Sequence, residues 1–226
     1  MKKLALVLSL SMVLVGMAMA EVPTAFGPAP GGTSIGSGRE VCWSEPPDPA
    51  GSIGSSEVIG AFALETEIAN DFFFAADSDV SMARWWGGFW NGSPINVNWN
   101  LRIYDDGGCV PGAVLAEWLN VPSNQTPVDT YYVWNYGITF AALGSTLYWF
   151  GAQAADHAFP PQCGRLATLL VTQCDSVFKS VYFGYPDWTP AGDVFGYGYE
   201  ASQEFECGGA VATDPTTWGA IKGLYR

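Results

Sequence analysis

The sequence predicts an all-β chain folded as a single antiparallel β-sandwich, jelly-roll-like. Three observations carry that expectation. Apolar runs are short and are broken by the 27 Gly and 15 Pro, and by Asn and Asp, which is the punctuation of strands and turns. No stretch places apolar residues at helical spacing. Residues 96–104 alternate strictly, with Val97, Trp99, Leu101 and Ile103 interleaved between Asn96, Asn98, Asn100 and Arg102. A period of two sends the first set to a core and the second to the opposite face.

From the N-terminus, Met1-Lys2-Lys3 is a short positive segment, residues 4–15 form an apolar run, and Gly16-Met17-Ala18-Met19-Ala20 has the small-x-small pattern of a cleavage site. Residues 1–20 are therefore expected to be a secretory signal peptide cut after Ala20. The apolar run is short of the roughly 20 residues that a membrane span needs. No Cys follows the cut to carry a lipid, and no second apolar span appears. The mature chain is expected to be secreted, periplasmic or at the cell surface, without membrane insertion. Residues 21–38 are rich in Pro, Gly, Ser and Thr and read as a flexible lead-in. Residues 39–226 are assigned to the sandwich. Residues 44–56, with Pro46, Pro47 and Pro49, read as a loop. Beyond it, strands are expected at 67–74, 80–90, 96–104, 113–121, 130–140, 145–154, 167–172, 176–183 and 218–225, each an apolar or aromatic run between turn-forming residues.

Charge excludes two partner classes. The chain has 22 Asp+Glu against 9 Lys+Arg, a net −13. Without Lys2 and Lys3 the balance is 7 against 22, or −15. So acidic a chain repels phosphate backbones and anionic lipid, so nucleic-acid and membrane-surface partners are not expected. A single His, His157, excludes His-cluster metal sites and leaves any Ser-His-Asp or Cys-His scheme dependent on it. It lies in a loop-like stretch at 154–161, next to an Asp156 that would point away from it, and no Gly-x-Ser-x-Gly elbow exists. A surface His without chemistry is expected.

Five Cys, at 42, 109, 163, 174 and 207, are consistent with two disulfides and one leftover thiol, and no Cys-x-x-Cys pair suggests a metal or redox site. Cys174–Cys207 is the candidate bridge, with Cys163–Cys174 as its rival. The segment Trp85-Trp86-Gly87-Gly88-Phe89-Trp90 offers a binding candidate. On a strand, Trp85 and Phe89 share one face with Ala83, while Trp86 and Trp90 share the other with Arg84. Arg84, Trp86 and Trp90 could form a platform that stacks on sugar rings. The competing expectation is that a loop folds over that face and makes a second small core. Asp105 and Asp106, in the turn-rich stretch before Gly107-Gly108, could supply oxygen ligands to a structural Ca²⁺, or serve a plain turn. Glu65, Glu67 and Asp71, and Asp77 with Asp79, are weaker candidates of the same kind. No other cofactor is expected.

Ile68-Ala69-Asn70-Asp71-Phe72-Phe73-Phe74, Arg84-Trp85-Trp86-Gly87-Gly88-Phe89-Trp90, and Arg102-Ile103-Tyr104-Asp105-Asp106-Gly107-Gly108 with Pro111-Gly112-Ala113-Val114-Leu115-Ala116 follow in that order. This resembles the ADDF, WWGG-W and IYDDGG-PG-LLA pattern of exported bacterial β-sandwich proteins, anchored or secreted surface modules of unknown function. Asn70 stands where that pattern has an acid. The resemblance implies a sandwich and brings no catalytic residues. The expected function is thus a non-catalytic secreted module, structural, adhesive or glycan-binding, with glycans or other cell-surface components as partners. The alternative is an extracellular carbohydrate-active enzyme using two carboxylates, which needs no His.

Overall fold

A computed structural model of the chain describes residues 22–27, 41–170 and 172–208. In chain order the strands are β1 (Phe26–Gly27), β2 (Val41–Glu45), β3 (Ile53–Ser55), β4 (Val58–Ile59), β5 (Leu64–Glu65), β6 (Glu67–Phe73), β7 (Ser78–Trp90), β8 (Asn98–Asp106) and β9 (Pro111–Pro122). They continue with β10 (Asn124–Val128), β11 (Tyr131–Ala142), β12 (Leu147–Ala154), β13 (Gln162–Thr168), β14 (Val177–Ser180), β15 (Tyr185–Pro190), β16 (Glu200–Ala201) and β17 (Gln203–Cys207). A one-turn helix, α1 (Ala191–Phe195), separates β15 from β16. Two antiparallel sheets make the sandwich expected from the sequence. One has nine strands and includes the path β1-β3-β13-β7-β11-β10, and the other has six in the order β15-β14-β6-β12-β8-β9.

The alternation read in residues 96–104 is the alternation observed. Val97, Trp99, Leu101 and Ile103 are all buried in the inter-sheet core. Opposite them stand Trp85 of β7, Trp134 of β11 and Phe205 of β17. Aromatic rings bridge the sheets: Trp85 meets Trp99 edge-on at 5.2 Å and Trp99 meets Trp134 edge-on at 4.9 Å, within the range of favourable ring pairs, and Phe72 meets Phe205 tilted at 4.4 Å. The strand expected at 167–172 lies instead at β13. Its Cys163-Gly164-Arg165 centre lacks the apolar alternation that marks a strand, yet all seven of its residues are buried. Residues 218–225 lie outside the described residues.

β7 carries aromatic rings on both faces, and both faces are covered. Trp86 and Trp90 form a second cluster with Ile53, Val128, Tyr131 and Leu166. Residues 22–27, expected to belong to a flexible lead-in, close over it. Trp90 Nε1 donates to Thr24 Oγ1 at 2.9 Å, and a Cβ on Gly27 would lie 2.6 Å from the Trp90 ring. Gln162 fixes the same segment from below, accepting from Thr24 N at 2.7 Å and donating to Thr24 O at 2.8 Å.

The disulfides are Cys42–Cys207 and Cys109–Cys174, and Cys163 is the free, buried thiol. The count of two bridges and one thiol agrees with expectation, but neither Cys174–Cys207 nor Cys163–Cys174 forms. Cys207 ends β17, which runs beside β2 and so meets Cys42. Cys174 lies with Tyr104 and Trp149 over the outer face of the six-stranded sheet, beside the turn that carries Cys109. The first bridge spans 165 residues and the second 65; such long closures restrict the unfolded chain most in the loop-entropy account.

The interior also holds polar groups. Arg165 is fully buried; its Nη1 donates to the carbonyls of Ile68 and Phe150 at 3.3 and 3.1 Å, and its Nη2 to that of Ser202 at 3.0 Å. Burial lowers its pKa to about 10. Asn70 Nδ2 donates to Glu45 Oε2 and to Ala201 O, both at 3.0 Å, so an acid at position 70 would face the buried Glu45 carboxyl. His157 is not a surface residue. Its side chain is 6% exposed, and Nε2 lies 3.2 Å from Glu57 Oε2, because residues 154–161 turn back over β4 rather than running extended. Burial alone would push His157 down, but the contact with Glu57 and the Ala158 carbonyl more than reverse it, so its pKa is raised.

These groups set the sign of the pH dependence. Burial raises Glu45 and Glu200 each to about 8, against 4.5 when exposed. A raised acid stabilises the fold relative to its ionised form below about pH 4.5 and loses that contribution as pH rises towards about 8. Raised His157 acts in the same direction, its contribution fading as pH climbs past its folded value. We therefore expect the chain to unfold at lower denaturant concentration at pH 8.5 than at pH 5. Each tenfold difference in proton affinity between the folded and unfolded chains is worth about 1.4 kcal/mol. Glu45→Gln should flatten the profile; a profile that rises with pH, or is unchanged by that substitution, contradicts the assignment.

Candidate functional site

The outer face of the six-stranded sheet is covered at one end and open beside it. At one end Tyr104, Trp149, Cys174 and Val177 make a small cluster with Val110 and Trp188, held down by the Cys109–Cys174 bridge. Asp71 secures the loop before β14, accepting from the hydroxyl of Thr172 and from the backbone N–H groups of Gln173 and Cys174, both at 3.2 Å. Beside this cluster the face opens into a groove of about 600 Å³.

Each strand of the sheet contributes to the groove. β15 supplies Trp188, β14 Lys179, β6 Glu67, β12 Gln153, β8 Arg102 and Tyr104, and β9 Gly112 and Val114. Ala63 and Glu65, at the β4–β5 hairpin, form one wall, and Val181 and Tyr182, in the β14–β15 turn, form the rim. Strand alternation places these side chains here. Ile68, Leu101, Ile103, Phe150 and Ala152 must enter the interior, so Glu67, Arg102, Tyr104, Gly151 and Gln153 face outwards.

The floor is a connected set of hydrogen bonds. Glu67 accepts from Tyr104 Oη at 2.7 Å on Oε1 and from Arg102 Nη1 at 2.9 Å on Oε2. Arg102 Nε donates to Glu117 Oε1 at 2.7 Å. Gln153 Oε1 accepts from Asn100 Nδ2 at 3.2 Å, and its Nε2 donates to Thr66 O at 2.9 Å. Burial pushes the Glu67 carboxyl up, and the Arg102 guanidinium and Tyr104 hydroxyl oppose this without cancelling it. Burial, then the neighbouring Glu67, raises Tyr104 well above its ordinary value, so its hydroxyl stays a donor. At the far wall Lys179 Nζ stands 5.7 Å from the centre of the Trp188 ring, and Tyr104 meets the same ring edge-on at 5.8 Å. Chemically this is a cluster of fixed donors and acceptors beside a partly exposed indole, an arrangement suited to a polar ligand with one flat apolar face.

The main binding candidates read from the sequence, Arg84, Trp86 and Trp90, are elsewhere. Trp86 and Trp90 are 2% and 6% exposed, so neither ring can stack on a ligand, and the covering loop expected as the alternative is what is found. Arg84 is held by Glu204 and by Glu206, the latter at 2.9 Å. Asp106 Oδ1 accepts from Cys109 N at 3.0 Å and from Trp149 Nε1 at 3.1 Å; it closes the turn, and the carboxyl of Asp105 lies against Gly112. Among the described residues no group of three or more His, Cys, Asp or Glu is placed to hold a metal ion. Of the weaker acidic candidates, Glu65 and Glu67 reach the groove.

Trp188, Lys179, Arg102 and Gln153 were not singled out. One usable signal existed. The four cations among the described residues, Arg84, Arg102, Arg165 and Lys179, all lie within strands of a strongly acidic chain. Two of them line this groove.

Gly151 makes the floor possible. A Cβ there would lie 2.1 Å from Glu67 Oε1 and 3.3 Å from the Tyr104 ring. Gly151→Val should displace Glu67 and cost about 1–3 kcal/mol in denaturant unfolding. Gly137→Val, where the nearest atom to a Cβ is 3.9 Å away, should cost far less; equal losses would contradict the account. No family model, curated protein or solved structure matches the chain.

Proposed function

We propose that the chain is a non-catalytic secreted module that binds glycans in the groove on the outer face of the six-stranded sheet. The observation that carries this reading is the pairing of a partly exposed Trp188 with the hydrogen-bonding floor of Glu67, Arg102, Tyr104 and Gln153. A sugar ring has an apolar face for the indole and hydroxyls for the floor. The two disulfides fit an oxidising compartment, and secretion through residues 1–20 accords with them. Charge argues against a nucleic acid in the groove, since carboxyls of Glu65, Glu67 and Glu117 stand in or beside it.

One observation favours the enzymatic alternative. Glu67 is a buried carboxyl in a groove with its proton affinity raised, which is the condition of a general acid. Both of its oxygens are engaged by Arg102 and Tyr104, and this supports a binding role.

A glycan array probed with residues 21–226 tests the proposal. Trp188→Ala should weaken binding by roughly tenfold or more, equivalent to about 1.4 kcal/mol, while Trp86→Phe should leave it intact. Binding that survives Trp188→Ala unchanged sinks the groove as the site. Release of reducing sugar by the wild-type protein, abolished by Glu67→Gln, would make the chain an enzyme.

A further inference from the structure

We propose that Thr24 and Gln162 join covalently, through a side-chain ester between Thr24 Oγ1 and Gln162 Cδ that staples residues 22–27 to β13. The two residues are 138 positions apart in sequence and meet where the N-terminal segment closes over the cluster of Trp86 and Trp90. Neither lines the groove, so the ester and glycan binding stand or fall separately.

The groups around the Gln162 amide are those that acyl transfer requires. Gln162 is fully buried. Its Oε1 accepts from Thr24 N at 2.7 Å and from Asn91 Nδ2 at 3.1 Å. Two N–H donors on one carbonyl oxygen stabilise the oxyanion of a tetrahedral intermediate, and one of them here is the nucleophile's own backbone amide. The Thr24 hydroxyl lies 3.2 Å from the same Oε1, and Trp90 Nε1 donates to it at 2.9 Å, which holds it against the amide. On the nitrogen side, Gln162 Nε2 donates to Glu57 Oε1 at 2.9 Å and to Thr24 O at 2.8 Å. Glu57 is fully buried, and its Oε2 accepts from Cys163 N at 2.6 Å and stands 3.2 Å from His157 Nε2. Holding the N-terminal segment in place needs only the two bonds between the Gln162 amide and the Thr24 backbone. A hydroxyl at the amide oxygen and a buried acid at the amide nitrogen go beyond that need.

In the step, an electron pair of Thr24 Oγ1 forms the bond to Gln162 Cδ, and the Cδ–Nε2 bond breaks with its pair on nitrogen. Glu57 takes the hydroxyl proton and returns it to Nε2, the exchange that a general base performs in acyl transfer. Ammonia leaves, no oxidant or reductant is consumed, and Glu57 ends as it began. Thr24 is at an exposed position, which gives the ammonia a way out to solvent. The reaction runs once per chain and takes no external substrate.

Mass spectrometry of folded residues 21–226 tests this. The wild-type protein is expected to be lighter by one ammonia than its disulfide-bonded sequence. After reduction and trypsin digestion, residues 21–39 should remain joined to residues 103–165. Hydroxylamine should part the two peptides and leave a hydroxamate at position 162. Thr24→Val removes the nucleophile at an exposed position and should abolish the linked pair, whereas Thr24→Ser should retain it. Separate peptides from the wild-type protein, or a loss of ammonia without a linked pair, overturn the inference. So does a linked pair that persists in Thr24→Val.

Discussion

A layer of aromatic rings between the two sheets sets the position of everything else. Trp85, Trp134 and Phe205 come from the nine-stranded sheet, and Phe72, Trp99 and Phe150 from the six-stranded one. Their edge-to-face and tilted contacts cross the interface repeatedly. Each ring of this size buries roughly 150–250 Å² when enclosed, so a register slip of one residue in β8 or β12 would expose large apolar area and bury polar groups. The sheets are locked in register by that penalty.

Once the inner face is fixed, the outer face follows. β8 must send Trp99, Leu101 and Ile103 inward, which leaves Asn100, Arg102 and Tyr104 outward; β12 must send Phe150 and Ala152 inward, which leaves Gly151 and Gln153 outward. The same rule applied to β7 gives a different outcome, because its second face carries Trp86 and Trp90 and is closed by Thr24–Gly27, Val128 and Tyr131. On one sheet, then, the apolar part of the outer face is covered by the chain itself. The other has a polar outer face that stays open, with the Cys109–Cys174 bridge holding a lid of loops over only part of it.

Much of the fold was legible in the sequence, and the site was not. The strict alternation at 96–104 and the two-faced aromatic run at 85–90 needed only local pattern, and both strands are found where that pattern put them. β13 escaped because its centre is Gly164-Arg165, and the burial of Arg165 depends on carbonyls of Ile68, Phe150 and Ser202 from three distant parts of the chain. Disulfide partners were illegible for the same reason, since they depend on which loop ends meet in space. The groove is a still more distributed object: Arg102 and Glu67 are 35 residues apart, and Trp188 joins them only through the order of strands in the sheet. Local pattern marked the most aromatic segment as a surface for binding, whereas two-sided burial is what such a segment produces when chain is available to cover it.

On the proposed function, the open polar face and not the aromatic-rich strand meets the ligand. Indole N–H resonances in a heteronuclear NMR titration with an array-positive glycan report on this directly. The Trp188 Nε1–H signal should move on addition of glycan while those of Trp86 and Trp90 stay in place. Movement of the Trp86 or Trp90 signals with Trp188 unchanged would contradict it.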